Sequence, residues 1–251
     1  AHYGSYASGD PAPLQANRLP VPDPYDNLAV PSVLSDPVQI STTNRGGLRI
    51  VDLPLINPPR TLQPGVYNYL QIVSGTVTFS PGVYIIRSVD PVTKIALNIT
   101  GGKITANGVL FYITNSSTYS AASGAPDNAD GETVPASSVG NLLPSVVILG
   151  SLIGNASTYR GLNAAGSPFN GMLIYQRRAD RRPIVLINNL LLGGEDFNGV
   201  VYAKWGHVIL SGSGFRETRV VAGTLRLITV TSSEFAPSNL LPPAEDVFLV
   251  E

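Results

Sequence analysis

The chain has no cysteine, one methionine and two histidines, and only 13% of its 251 residues are charged. Without cysteine, no disulfide, thiolate metal site or cysteine nucleophile can form. The charged fraction is about half that of ordinary soluble globular proteins, and the formal net charge is −1. No basic excess is left to neutralise phosphates, which excludes electrostatic nucleic-acid binding. Near-neutrality combined with 43% hydrophobic residues also excludes disorder driven by net charge. Long apolar runs are missing too: the longest, around Val146–Ile153, is too short to span a bilayer. No stretch carries a 3.6-residue apolar period with helix caps.

Catalytic signatures are equally sparse. His2 lies in the Pro-rich start, so His207 is the remaining candidate base for a Ser-His-acid set. No G-x-S-x-G, Walker A or HExxH pattern occurs, nor a Ca²⁺-binding nonapeptide repeat. Asp127, Asp130 and Glu132, or Glu195 with Asp196, offer paired carboxylates for acid–base work on a glycan. Neither set sits in a strand pattern that aims both groups at one cleft, and a solvated loop is the reading adopted for both. No cofactor or metal is expected. Asn98, Asn115 and Asn155 match the N-glycosylation acceptor pattern, which is short enough to recur by chance.

What is present is proline, glycine and short β-branched runs. Residues 1–44 hold Pro11, Pro13, Pro20, Pro22, Pro24, Pro31 and Pro37, a density that favours extended backbone. This segment reads as an arm, either loosely docked or strapped onto the core or a neighbour. Leu14, Leu19, Val21 and Leu28 are its candidate subunit contacts. Residues 45–236 carry short strand-like runs, alternating in Ile95–Ile99 and apolar on both faces in Val109–Ile113, with Met172–Tyr175 and Leu225–Val230 among the others, which predict strands. Within them residues 115–141 form a polar insertion, expected to be a solvated excursion. Residues 237–251 form a tail whose Val247, Phe248, Leu249 and Val250 read as an end strand that must pair with something. The chain opens on Ala1 and its one methionine is Met172, which reads as a processed or excised product.

A repeat organises the body. Pro64-Gly65-Val66-Tyr67 recurs as Pro81-Gly82-Val83-Tyr84, 17 residues on. Weaker copies begin at Gly108, Gly171 and Gly199, each glycine followed by an apolar strand carrying a tyrosine. A turn residue that launches a strand, repeated, suits units that bury a common core by stacking. The expected fold is all-β, a parallel β-solenoid (β-helix), with an antiparallel β-sandwich or jelly roll as the alternative. The one dense charge cluster, Arg177, Arg178, Arg181 and Arg182 around Asp180, could grip an acidic glycan or a neighbour's acidic patch through bidentate forks. Its plain alternative is a solvated turn partly paired to Asp180.

With these motifs the chain resembles the extracytoplasmic C-terminal region of TadE/TadG-like, Flp pilus-assembly-associated proteins of the planctomycete type. The resemblance runs from Asp23-Pro24 through Leu62–Ile86, Gly108–Tyr112 and Gly171–Tyr175 to Gly199–Ala203 and Val220–Ala222. It implies a secreted or cell-surface β domain tied to bacterial appendages, and it implies no catalytic residue. This sequence lacks the family's N-terminal membrane helix and adds the Arg177–Arg182 cluster. The expectation is a non-enzymatic structural subunit that self-assembles into a homopolymer through its arm and end strand. Two alternatives stand beside it: a carbohydrate-binding or carbohydrate-cleaving solenoid using exposed tyrosines, and an adhesin or assembly adaptor acting through residues 115–141. Partners are therefore a second copy, a glycan or a surface protein.

Overall fold

A computed structural model describes residues 23–53, 57–130, 142–150, 157–188, 195–228 and 230. The described residues form fourteen strands and one 3-10 turn, Asp127–Ala129. The strands are β1 Asn44–Val51, β2 Arg60–Leu62, β3 Gly65–Ser74, β4 Thr76–Phe79, β5 Gly82–Ile86, β6 Leu97–Ile99 and β7 Lys103–Asn107. They continue as β8 Val109–Ile113, β9 Val146–Leu149, β10 Thr158–Arg160, β11 Met172–Gln176, β12 Ile184–Ile187, β13 Asp196–Ser211 and β14 Phe215–Ile228. No helix among the described residues is long and apolar enough to cross a membrane. The all-β expectation holds. The antiparallel sandwich is overturned, because every pairing between described strands is parallel.

Strands β3, β6, β9, β12, β13, β11, β8 and β5 close a ring of eight parallel pairings, a barrel in its connectivity, with six further strands attached. The ring closes because two long strands take several partners. β3 pairs with β5 through residues 65–67 and with β6 through residues 70–72. β13 pairs in turn with β10, β11 and β12 through residues 196–198, 200–202 and 208–211.

The registers sort side chains into columns. One ladder aligns Tyr84, Phe111, Ile174, Val201 and Val220. A second aligns Leu48, Leu70, Leu97, Val146, Ile184, Val208 and Leu225. A third aligns Phe79, Ala106, Tyr159, Phe197 and Phe215. Apart from Leu225, these columns fill one hydrophobic core, with Leu48 and Val220 partly buried against it. Tyr159 stacks on Phe197 at 4.8 Å and Phe197 on Phe215 at 5.2 Å, the offset geometry aromatic quadrupoles favour. Side chains alternate between faces along a strand. The next residues on the first ladder, Ile85, Tyr112, Tyr175, Tyr202 and Val221, therefore form a second, outer column. That column belongs to a separate apolar cluster.

The sequence repeat has a local physical cause. Gly65, Gly82, Gly108, Gly171 and Gly199 all have positive φ, a region L side chains avoid. Tyr67 donates its hydroxyl to the Gln63 carbonyl and Tyr84 to the Ser80 carbonyl, each four residues back across the Pro-Gly turn. Tyr67 and Tyr84 are both buried. One register differs from the repeat: Gly65 lies opposite Tyr84, not Gly82. The offset is two residues, which keeps every side chain on its own face.

The segment from Asp23 to Thr43 is packed on its own body. Tyr25, Val30 and Ile40 are buried and Leu28 is partly buried in the outer cluster. Leu14, Leu19 and Val21 lie outside the described residues, as do Val247, Phe248, Leu249 and Val250. Phe111 sits where the first and third ladders meet, 5.2 Å from Phe79 and 5.8 Å from Tyr84. Phe111→Ala is expected to cost about 3–5 kcal/mol. Thr105→Ala, on the outer side of β7, is expected to stay within about 0.5 kcal/mol. Urea midpoints of the two variants check the contrast.

Candidate functional site

The strongest concentration of polar chemistry lies over the outer tyrosine column. Tyr112, Tyr175 and Tyr202 meet edge to face at 5.2 and 4.9 Å. Two segments cover them. Tyr25 of the arm meets Tyr202 at 5.6 Å, and Tyr119 of the insertion meets Tyr112 at 5.4 Å. Each cover is sealed by a carboxylate that accepts a tyrosine hydroxyl: Asp23 from Tyr202 at 2.7 Å, Asp127 from Tyr112. The Tyr119 hydroxyl in turn donates to the Pro31 carbonyl and ties the two covers together. Burial holds the phenols of Tyr112, Tyr119, Tyr175 and Tyr202 above their ordinary pKa.

The arginine cluster is the fastening. Arg178 is 8% exposed. Its Nη2 donates to the carbonyls of Tyr25, Asp26 and Leu28 at 2.6, 3.2 and 2.7 Å, and its Nε to the Tyr202 hydroxyl at 3.1 Å. The guanidinium also lies 6.0 and 5.9 Å from the Tyr175 and Tyr202 rings, within cation–π range. Arg177 holds the insertion, with Nε 3.1 Å from Asp127 and 2.8 Å from Asp130. Arg182 is 5% exposed and forks onto Asp180. Arg181 is half-buried and also has an interaction within the protein.

The Asp180 pairing of the plain alternative is present in Arg182, but the turn is not solvated, and three of the four arginines are engaged within the chain rather than turned out to a glycan. Arg177, Arg178 and Arg182 are committed to acceptors inside the chain. The reason is non-local: the partners of Arg178 lie about 150 residues away in sequence. The insertion is corrected in part as well. Residues 115–130 are packed on the body, with Tyr119, Ala121 and Asp127 buried, and residues 131–141 lie outside the described set. Of the nine tyrosines among the described residues eight are buried and Tyr69 is half-buried, so the described surface presents no row of exposed tyrosines.

The remaining candidates are dispersed. Glu195 is buried beside Asn188, and Asp196 pairs with Arg160 at 2.8 Å. His207 contacts the Thr224 hydroxyl, and burial, aided by Arg226, lowers its pKa. Asn98 is buried and donates to Gln71 at 2.8 Å, so it is no open glycosylation acceptor. Among the described residues no cluster of three or more His, Asp or Glu could hold a metal.

Two recesses open on the surface. One, about 290 Å³, lies between arm and insertion and is lined by Ser32, Ser35, Ser123, Asn128 and Arg178. The other, about 350 Å³, is lined by Asn107, Arg160, Asn163 and Asn198 over the glycines 108, 161 and 171. Asn107, Arg160 and Asn198 are register neighbours on the outer side of the third ladder. The Arg160–Asp196 pair leaves that recess polar without net charge. Both recesses are at or below the small end of ligand-pocket volumes, and neither brings a nucleophile to a base.

Comparison with protein-family models, with curated proteins and with solved structures gives no match.

Two outcomes follow from the fastening. Arg178→Ala leaves three carbonyls and a phenol without their donor. Protease cleavage within residues 23–43 is then expected to speed up roughly tenfold or more while the body resists; mass spectrometry of timed digests reads it. Burial raises Asp127 from the ordinary 3.8 to about 6, against the pull of the Tyr112 hydroxyl and Arg177. The folded chain thus keeps this proton to a higher pH than the unfolded chain does. The contribution of Asp127 to stability is present at low pH and falls as pH rises from about 4 to about 6. Asp127→Asn is expected to flatten that part of the stability–pH curve, measured by urea unfolding.

Proposed function

We propose that this protein is a non-enzymatic structural subunit of a bacterial surface appendage or extracellular fibre, as the TadE/TadG-like resemblance implies. In this reading the three ladders are the faces of a β-solenoid. β13 supports it, because separate stretches of one strand serve each ladder in turn, as one coil of a solenoid does. The single observation that carries the functional reading is the state of the stack's far end. Among the described residues β14 pairs with β13 and with no other strand. Leu225 and Leu227 continue buried core columns, yet they are 43% and 51% exposed. Unpaired edges over an open core invite further strands. Contacts of that head-to-tail kind build filaments when they do not close.

The arm's part narrows in this reading. Residues 23–43 are engaged with their own body, so a connector role falls to the residues before Asp23. The carbohydrate alternative draws less support, because Arg177, Arg178 and Arg182 are engaged inside the chain and eight of the nine described tyrosines are buried. Location outside the cell follows from the resemblance and stands with it.

Negative-stain electron microscopy of the full chain over rising concentration is expected to show filaments one molecule wide. Light scattering in parallel is expected to grow with concentration. Discrete monomers at every concentration would sink the subunit reading.

A further inference from the structure

One atom of the arm's fastening is unspent. Arg178 uses Nε on the Tyr202 hydroxyl and Nη2 on the carbonyls of Tyr25, Asp26 and Leu28. Its third nitrogen, Nη1, has no acceptor among the described residues. The charge is uncancelled as well, since no described carboxylate lies within ion-pair distance of this guanidinium. Asp23 and Asp26 lie 3.5 and 3.0 Å from Lys204 instead, and Asp127 and Asp130 pair with Arg177. A guanidinium 8% exposed and without a carboxylate is a costly state for a charge.

That cation lines the recess of about 290 Å³ between arm and insertion, and two neutral donors line it too. The Ser123 hydroxyl accepts from the Ala125 amide at 3.3 Å and donates to no described residue. Asn128 Nδ2 spends one hydrogen on the Ser123 carbonyl at 3.4 Å and keeps the second. Ser32 and Ser35 bond to each other and to the arm backbone. The remaining wall is apolar: Ala29, Val30 and the exposed Leu34. The recess thus combines one positive charge, two free donor hydrogens beside it and a carbon-lined side. A dianion is disfavoured there, because Asn128 sits in the turn between Asp127 and Asp130. A monoanion on a short carbon stem matches the charge and the wall together.

We propose that this recess binds a small monoanionic carboxylate. Its oxygens are held by Arg178 Nη1, Ser123 and Asn128, and its stem lies against Ala29 and Leu34. The site goes beyond the subunit reading and does not depend on it. The bound carboxylate supplies the counter-charge that Arg178 lacks, and one group then ties the arm, the insertion and the end of β11 together. A ligand that binds only the folded chain stabilises it, so occupancy tightens the arm on the body.

Butyrate is the probe, added to the full chain at neutral pH with ionic strength held constant by sodium chloride. The urea midpoint is expected to rise saturably with butyrate, and protease cleavage within residues 23–43 to slow severalfold. Butyramide, which has the same stem without the charge, is expected to do neither, and phosphate to do no more than chloride. Ser123→Ala is expected to raise the half-saturating butyrate concentration about three- to tenfold. Leu34→Glu puts a carboxylate at the mouth of the recess, at a position 79% exposed where substitution costs little. It is expected to abolish the butyrate response and to slow arm cleavage without butyrate. No midpoint shift with butyrate, or an equal shift with butyramide, overturns the proposal. A shift that survives Leu34→Glu unchanged also overturns it, because the butyrate then sits elsewhere. An equal response to phosphate overturns the assignment to carboxylates. None of these readouts depends on assembly, so their failure and the failure of the subunit reading are separate results.

Discussion

In-register parallel pairing is the constraint on which the rest of this structure depends. It lays each strand's residues directly over those of its neighbours, so a face has one character along its whole length or has to be repaired where it changes. The inward columns satisfy this with Leu, Ile, Val and aromatic side chains from β1 to β14. The outer side of the third ladder satisfies it with the exposed Thr61 and the half-buried Thr78 and Thr105. The outer side of the first ladder does not, because Tyr112, Tyr175 and Tyr202 fall there.

Most of the irregular structure follows from that exception. A tyrosine column on an outward face needs cover, and the arm and the insertion supply it. Their backbone carbonyls and carboxylates then need donors in a dry setting, and Arg178 and Arg177 provide them. The cluster Arg177–Arg182 thus follows directly after Tyr175 because β11 ends at Gln176, beside the covering segments. A buried guanidinium without its carbonyls would be costly, so cover and fastening stand or fall together.

The same constraint bears on function. A column of equal character has no internal reason to stop, and among the described residues this one ends in the half-exposed Leu225 and Leu227. Charged groups elsewhere are largely committed to internal contacts, as with Asp52 and Arg60, Asp180 and Arg182, or Asp196 and Arg160. The proposed role as a stacking subunit uses the edge of β14.

The sequence by itself determined the strand content, through period-two runs, and the strand-launching turns. Both are local: alternation sets which side chains share a face, and Pro-Gly before a Val-Tyr pair sets a turn that a tyrosine hydroxyl closes. The parallel sense was readable as the better of two readings, because stacked repeats imply it. Tertiary structure alone decided the two-residue offset of Gly65 against Tyr84, the closure of the pairing ring through β13, and the roles of Arg177, Arg178 and Asp127. Those depend on which distant segments meet. No spacing between Arg178 and Leu28, 150 residues apart, could announce that one would hold the other, because only the folded backbone brings a buried cation to the carbonyls that stabilise it.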